Sequence, residues 1–89
     1  MHSLLNSLKP IFIMEYSITR KEIFEALRGT GRSELVEIAT TKDMPENIKK
    51  GRELAGKGYN EGFYHVGIRV FTKGTEIKVI AYPWMHIIE

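Results

Sequence analysis

The sequence predicts an α+β domain: a two-layer α/β sandwich of β-α-β-α-β-β order, with two helices on one face of a four-stranded sheet. Three observations predict it. Two helical segments each open on a capping signal. The segments around them alternate apolar and polar residues with a period of two. The last third holds two alternating runs joined by Lys73-Gly74, the pattern of a hairpin.

Taken in order, Lys9-Pro10 ends the opening stretch, and residues 11–16, rich in β-branched and aromatic side chains, read as a first strand. Thr19 followed three residues later by Glu22 is a capping box, and Ile18 with Ile23 forms the hydrophobic staple beside it. Ile23, Phe24 and Leu27 make one apolar stripe, so residues 20–28 read as helix, stopped at Gly29. Residues 34–41 alternate as a second strand, with Val36 and Ile38 against Glu37 and Thr40. Asp43 with Glu46 repeats the capping-box spacing, and Pro45 suits a first helical turn. Met44, Ile48, Gly51 and Ala55 share one face of this helix, where Gly51 implies a close approach to the sheet. Gly56 and Gly58 end it. Residues 63–72 and 75–82 alternate as the hairpin strands, and Pro83, which has no N–H for a ladder, ends the second. The tail from Trp84 to Glu89 is apolar enough to pack back on the body.

With 89 residues there is room for one domain, 1–89, and a core of modest size. Residues 1–13 read as an N-terminal extension if Met14 serves as an alternative start. Leu4, Leu5 and Leu8, then Ile11 to Ile13, are interrupted by Asn6, Lys9 and Pro10, well short of the roughly 20 apolar residues that span a bilayer. No secretory pattern is evident there. The chain has no cysteine. This removes disulfides, thiolate nucleophiles and zinc-thiolate sites, and points to a reducing, cytoplasmic setting. The three histidines, His2, His65 and His86, show no metal-ligand spacing, so no metal and no cofactor are expected. A net charge of +2 leans mildly towards anionic partners.

Arg28-Gly29-Thr30-Gly31-Arg32 sets two arginines around a flexible loop, which reads either as an anion contact or as a plain helix-to-strand connection. It follows a helix C-terminus, whose dipole repels anions, and it lacks the lysine of a P-loop. In the hairpin, Tyr64, Val66, Ile68 and Val70, opposed by Ile77, Val79 and Ala81, form an apolar face expected to meet the helices. The opposite face presents Phe63, His65, Gly67, Arg69, Phe71 and Lys73 with Glu76, Lys78, Ile80 and Tyr82. Rings interleaved with cations on an open sheet are what single-stranded nucleic acids use, while a dimer interface or cover by leader or tail explains the same pattern. Lys49, Lys50, Arg52 and Lys57 on the second helix are diluted by Glu46 and Glu53, as on a solvated face. For catalysis, His65 beside Arg69 lacks a nucleophile and an orienting partner, so no enzymatic activity is expected.

The stretch from Ile18 to Arg69 resembles the TusA/SirA-type sulfur carriers, which share the β-α-β-α-β-β order. Ser33-Glu34-Leu35-Val36-Glu37-Ile38 resembles that family's entry to strand two, Asn47-Ile48 its Asp-Ile, and Gly58-Tyr59 its Gly-His step. The family's persulfide-bearing Cys-Pro would fall at about Tyr16 to Ile18 and is absent, so that role does not transfer. Lys9-Pro10 and Ile48-Lys49-Lys50 are similar to Alba-type chromatin proteins, a resemblance that implies nucleic-acid binding. Ala39-Thr40-Thr41 stands where that family carries Ala-Arg-Gly.

The expectation is therefore a small non-catalytic binding protein. Its candidate nucleic-acid contacts are Arg28, Arg32, His65, Arg69, Phe71, Lys73, Lys78 and Tyr82. The alternative is a protein-interaction or homodimerising module without nucleic-acid binding.

Overall fold

The computed structural model describes residues 16–30 and 35–89. Their order is β1 (Tyr16–Thr19), α1 (Arg20–Leu27), a 3-10 turn (Arg28–Thr30), β2 (Leu35–Ala39), α2 (Met44–Gly56), β3 (Asn60–Gly62), β4 (Ile68–Lys73), β5 (Glu76–Ala81) and β6 (Met85–Ile88). The chain is the expected α+β fold, with two helices packed on a four-stranded mixed sheet ordered β2-β5-β4-β3.

Both helix starts form as their local chemistry dictates. Thr19 Oγ1 accepts from the Glu22 N–H at 3.0 Å, and Glu22 Oε1 accepts from the Thr19 N–H at 2.8 Å. At α2, Asp43 Oδ1 accepts from the Glu46 N–H at 2.9 Å, but the Glu46 carboxylate reaches one residue further back, to the Lys42 N–H at 2.7 Å. The exit of α2 is a Schellman turn: Tyr59 N–H donates to Leu54 O and Gly58 N–H to Ala55 O. That geometry needs a left-handed residue, and Gly58 supplies it at φ +94°.

The hairpin β4–β5 carries the sheet. Its Gly74–Thr75 turn, with Gly74 at φ +60°, pairs Lys73 with Glu76, Val70 with Val79 and Ile68 with Ala81. Strand β2 adds in parallel to β5, with Val36 opposite Ile77 and Ile38 opposite Val79. Ile68, Val70, Ile77, Val79 and Ala81 are thereby gathered on one face, where they meet Ile18, Ile23, Leu27 and Met85 to form the core. Only Ile23 and Leu27 of the α1 stripe are buried; Phe24, about 100° round the helix from Ile23, stays exposed.

Two strands differ from expectation. Residues 11–15 of the anticipated first strand lie outside the described residues, and β1 pairs in parallel with the tail strand β6, Tyr16 opposite Met85 and Thr19 opposite Ile88. The fourth strand of the main sheet is instead Asn60–Gly62, antiparallel to β4. Residues 63–67, expected to continue a hairpin strand, form a loop, and the side chains of Tyr64 and Val66 are exposed rather than turned to the helices. Gly62 and Gly67 bracket that loop.

Helix α2 lies on the sheet face that carries Arg69, Phe71 and Ile80, the face the sequence leaves open, so the two helices cover opposite faces of the sheet rather than the single face expected. Its inward residues are Asn47 and Gly51, both buried; Met44, Ile48 and Ala55 are exposed. Asn47 Nδ2 donates to Thr41 Oγ1 at 3.2 Å and to Ala81 O at 3.3 Å, while Thr41 Oγ1 donates to the same carbonyl at 2.9 Å. Arg69 NH1 donates to Asn47 O at 3.2 Å and Asn47 Oδ1 at 3.0 Å. The missing side chain at position 51 is what admits the guanidinium, since a β-carbon there would lie 2.5 Å from Arg69 NH1.

Gly51→Ala therefore tests this fit. Alanine gains about 1 kcal/mol of helix propensity, but displacing a guanidinium from charged hydrogen bonds costs about 1.5–3 kcal/mol for each one lost. A net destabilisation on the order of 1–2 kcal/mol is expected in urea unfolding. Gly56→Ala, where a β-carbon meets nothing within 4 Å, should be neutral or stabilising.

Candidate interaction surface

Apart from Arg28 and Arg32, the anticipated nucleic-acid residues separate into three places. Arg28 is exposed in the turn after α1, and Arg32 lies outside the described residues. Arg69 and Phe71 sit together beneath α2. Phe71 is 1% exposed, and the Arg69 guanidinium lies over its ring at 5.1 Å. The same guanidinium grips Glu61, with Nε to Oε2 at 2.8 Å and NH2 to Oε1 at 2.9 Å. This bidentate pair holds the Glu61 carboxyl below its ordinary range. Phe71 thus offers no face for a base.

Lys73 and Lys78 come together around Tyr59, which is not among the expected contacts. Lys73 Nζ donates to the Lys57 carbonyl at 2.7 Å, a favourable place for a cation at the C-terminus of α2, and lies 5.6 Å from the Tyr59 ring centre. Lys78 Nζ pairs with Glu37 at 2.9 Å, which raises its pKa, and lies 5.9 Å from the same ring. The Tyr59 hydroxyl donates to Glu76 Oε1, raising the phenol's pKa. Each lysine already has a partner within the fold.

His65 and Tyr82 fall in a third region, beside the junction of β6 with β1. The sequence Tyr82-Pro83-Trp84-Met85 makes a turn closed by Met85 N–H donating to Tyr82 O at 2.9 Å. Proline suits its second position. The turn stacks the rings of Tyr82 and Trp84 in parallel, 4.8 Å apart and 3° from coplanar orientation. On the Trp84 side, Tyr16, His65, Val66 and Met85 complete a groove of about 310 Å³. The loop at its edge is held by Gly67 N–H donating to His65 Nδ1 at 3.0 Å. Phe63 is 78% and Val66 75% exposed on that loop, and Tyr16, Tyr64 and Trp84 are exposed as well. On the Tyr82 side, Met44, Ile48, Arg52, Glu61 and Arg69 line a second groove.

Of this aromatic surface the sequence reading named only Tyr82 and His65 as site residues. The missed signal is the pair Gly62 and Gly67, which punctuates the alternation of residues 63–66 and marks them as a loop. Among the described residues no cluster of three or more His, Cys, Asp or Glu could hold a metal ion, and no helix is long and apolar enough to cross a membrane. No family model, curated protein or solved structure matches this chain.

The Glu61–Arg69 pair gives a pH dependence of defined sign. Because the folded carboxyl titrates below the unfolded value of about 4.3, its contribution is present above that pH and lost as pH falls through the folded value. Urea midpoints followed from neutral to acid pH should fall in the wild type. Glu61→Gln should start lower at neutral pH and fall less steeply. A residual slope is expected from Glu22, whose carboxyl the Thr19 backbone N–H also holds low.

Proposed function

We propose that the chain is a non-catalytic interaction module that self-associates through its exposed aromatic surface. The observation that carries this reading is the 63–67 loop, where Phe63 is 78% and Val66 75% exposed and Val66 lines the groove of Tyr16 and Trp84. Contiguous exposed apolar surface of this kind usually marks a binding site, and tryptophan and tyrosine are the side chains most often found at interface centres. A two-fold pair needs one patch that is complementary to itself. Here one patch presents projecting side chains, Phe63 and Val66, next to a groove able to receive an apolar side chain.

The geometry favours this over nucleic-acid binding for a specific reason. Base stacking on β4 and β5 would need an exposed ring next to uncommitted cations on those strands. Phe71 is buried, Arg69 is bound to Glu61 and Asn47, and Lys73 and Lys78 hold partners of their own.

Light scattering on the purified chain should give twice the monomer mass. Phe63→Ser with Val66→Ser should return it to the monomer mass with unchanged far-ultraviolet circular dichroism. Each buried interface anchor is worth about 2 kcal/mol or more, so the double change is sufficient to disperse a moderate dimer. A wild-type monomer at all concentrations, or saturable binding of a single-stranded oligonucleotide at low salt by the serine variant, would replace this reading.

A further inference from the structure

The second groove, between α2 and the Tyr82 ring, combines an apolar wall with uncommitted positive charge. We infer that it binds a small monocarboxylate with an apolar body. It is an open groove of about 390 Å³. Met44 and Ile48, four residues apart on α2, are 37% and 43% exposed along one wall. The Tyr82 ring, backed by Trp84, forms the other.

The polar end selects the ligand's charge. A guanidinium has five N–H donors. Arg69 uses four of them, on Glu61 Oε1 and Oε2 and on Asn47 O and Oδ1, which leaves one N–H on NH2. Arg52 lines the same groove and has no ion-pair or hydrogen-bond partner among the described residues. Two guanidiniums stand against one carboxylate, Glu61, so the groove carries one uncompensated positive charge. Arg69 is already immobilised beneath Gly51, so it loses no further side-chain freedom when a ligand arrives. A single carboxylate matches this balance. A dianionic phosphate would meet the Glu61 carboxylate, whose side chain is 43% exposed. The thioether of Met44 and the ring of Tyr82 suit an aromatic or aliphatic body next to that carboxylate.

The site lies on the far side of the Tyr82–Trp84 stack from the self-association surface and stands independently of it. Phenylacetate, phenylacetamide and phenyl phosphate are suitable probes, titrated into the isotopically labelled full chain and followed by amide chemical shifts. Phenylacetate should shift Met44, Ile48, Arg52 and Tyr82 and leave Phe63 and Val66 unmoved. The uncharged amide and the dianion should each bind about ten-fold more weakly or worse, and Arg52→Gln should weaken phenylacetate by a similar factor while leaving the spectrum otherwise intact. Equal binding of amide and acid, an unchanged affinity in Arg52→Gln, shifts confined to Phe63 and Val66, or no shifts with phenylacetate at its solubility limit would each overturn the assignment. Loss of dimerisation in the serine variant with these shifts retained would leave this site standing on its own.

Discussion

The arrangement depends on burying one charge correctly. Arg69, the second residue of β4, projects towards α2, its side chain only 18% exposed, and a guanidinium placed there unpaired would be strongly destabilising. Three neighbours prevent that. Glu61 on β3 neutralises it through two hydrogen bonds, Asn47 on α2 accepts two more, and Phe71 offers its ring face. Gly51 provides the space. One side chain thus ties together β3, β4 and α2. Replacing such a network by apolar packing can be equally stable, so its distinctive contribution is register. Helix α2 buries little apolar surface of its own; its buried residues are Asn47 and Gly51. It can sit on the sheet in only one position, with Asn47 and Gly51 above the guanidinium.

The same interaction explains where the sequence was legible and where it was not. Helix N-caps, the helix stop at Gly58 and the hairpin turn are decided by residues within about five positions of each other, so their patterns survive in the sequence. Gly51 was also readable, because a glycine inside a helix costs propensity and implies a close neighbour. The identity of that neighbour was not. Arg69 and Lys78 alternate with valines and isoleucines as they would on a solvent-facing strand, and nothing local distinguishes a cation that faces water from one that faces Asn47 and Glu61. The apolar positions of α2 misled for the same reason: Met44, Ile48 and Ala55 point away from the sheet, and the true inward face is centred on an asparagine.

The strand pairings show the second limit. Asn60–Gly62 has no alternation to read; as a strand it sets Glu61 opposite Phe71, within reach of Arg69. The pairing of β1 with β6 joins residues almost a chain length apart, Tyr16 with Met85. Periodicity identifies segments able to be strands but carries no information about which of them meet. Of the candidate site, the residue types were legible and their availability was not. Phe71, named as a stacking ring, is buried, whereas Phe63 and Val66, read as strand residues, carry the exposed surface.

The two grooves owe their separation to the turn at Pro83. Tyr82 N–H donates to Gly67 O at 3.5 Å, and Tyr16 N–H donates to Trp84 O at 2.9 Å, so both sides of the turn are tied to neighbouring backbone. Between these ties the stacked rings form a ridge, with Tyr82 facing α2 and Trp84 facing β1 and the 63–67 loop. The ridge is positioned by backbone hydrogen bonds on both sides rather than by either groove's contents. Filling one groove therefore does not require the other to reshape. An apolar partner on the Trp84 side and an anion on the Tyr82 side can be accommodated by one small domain because the wall between them is already built.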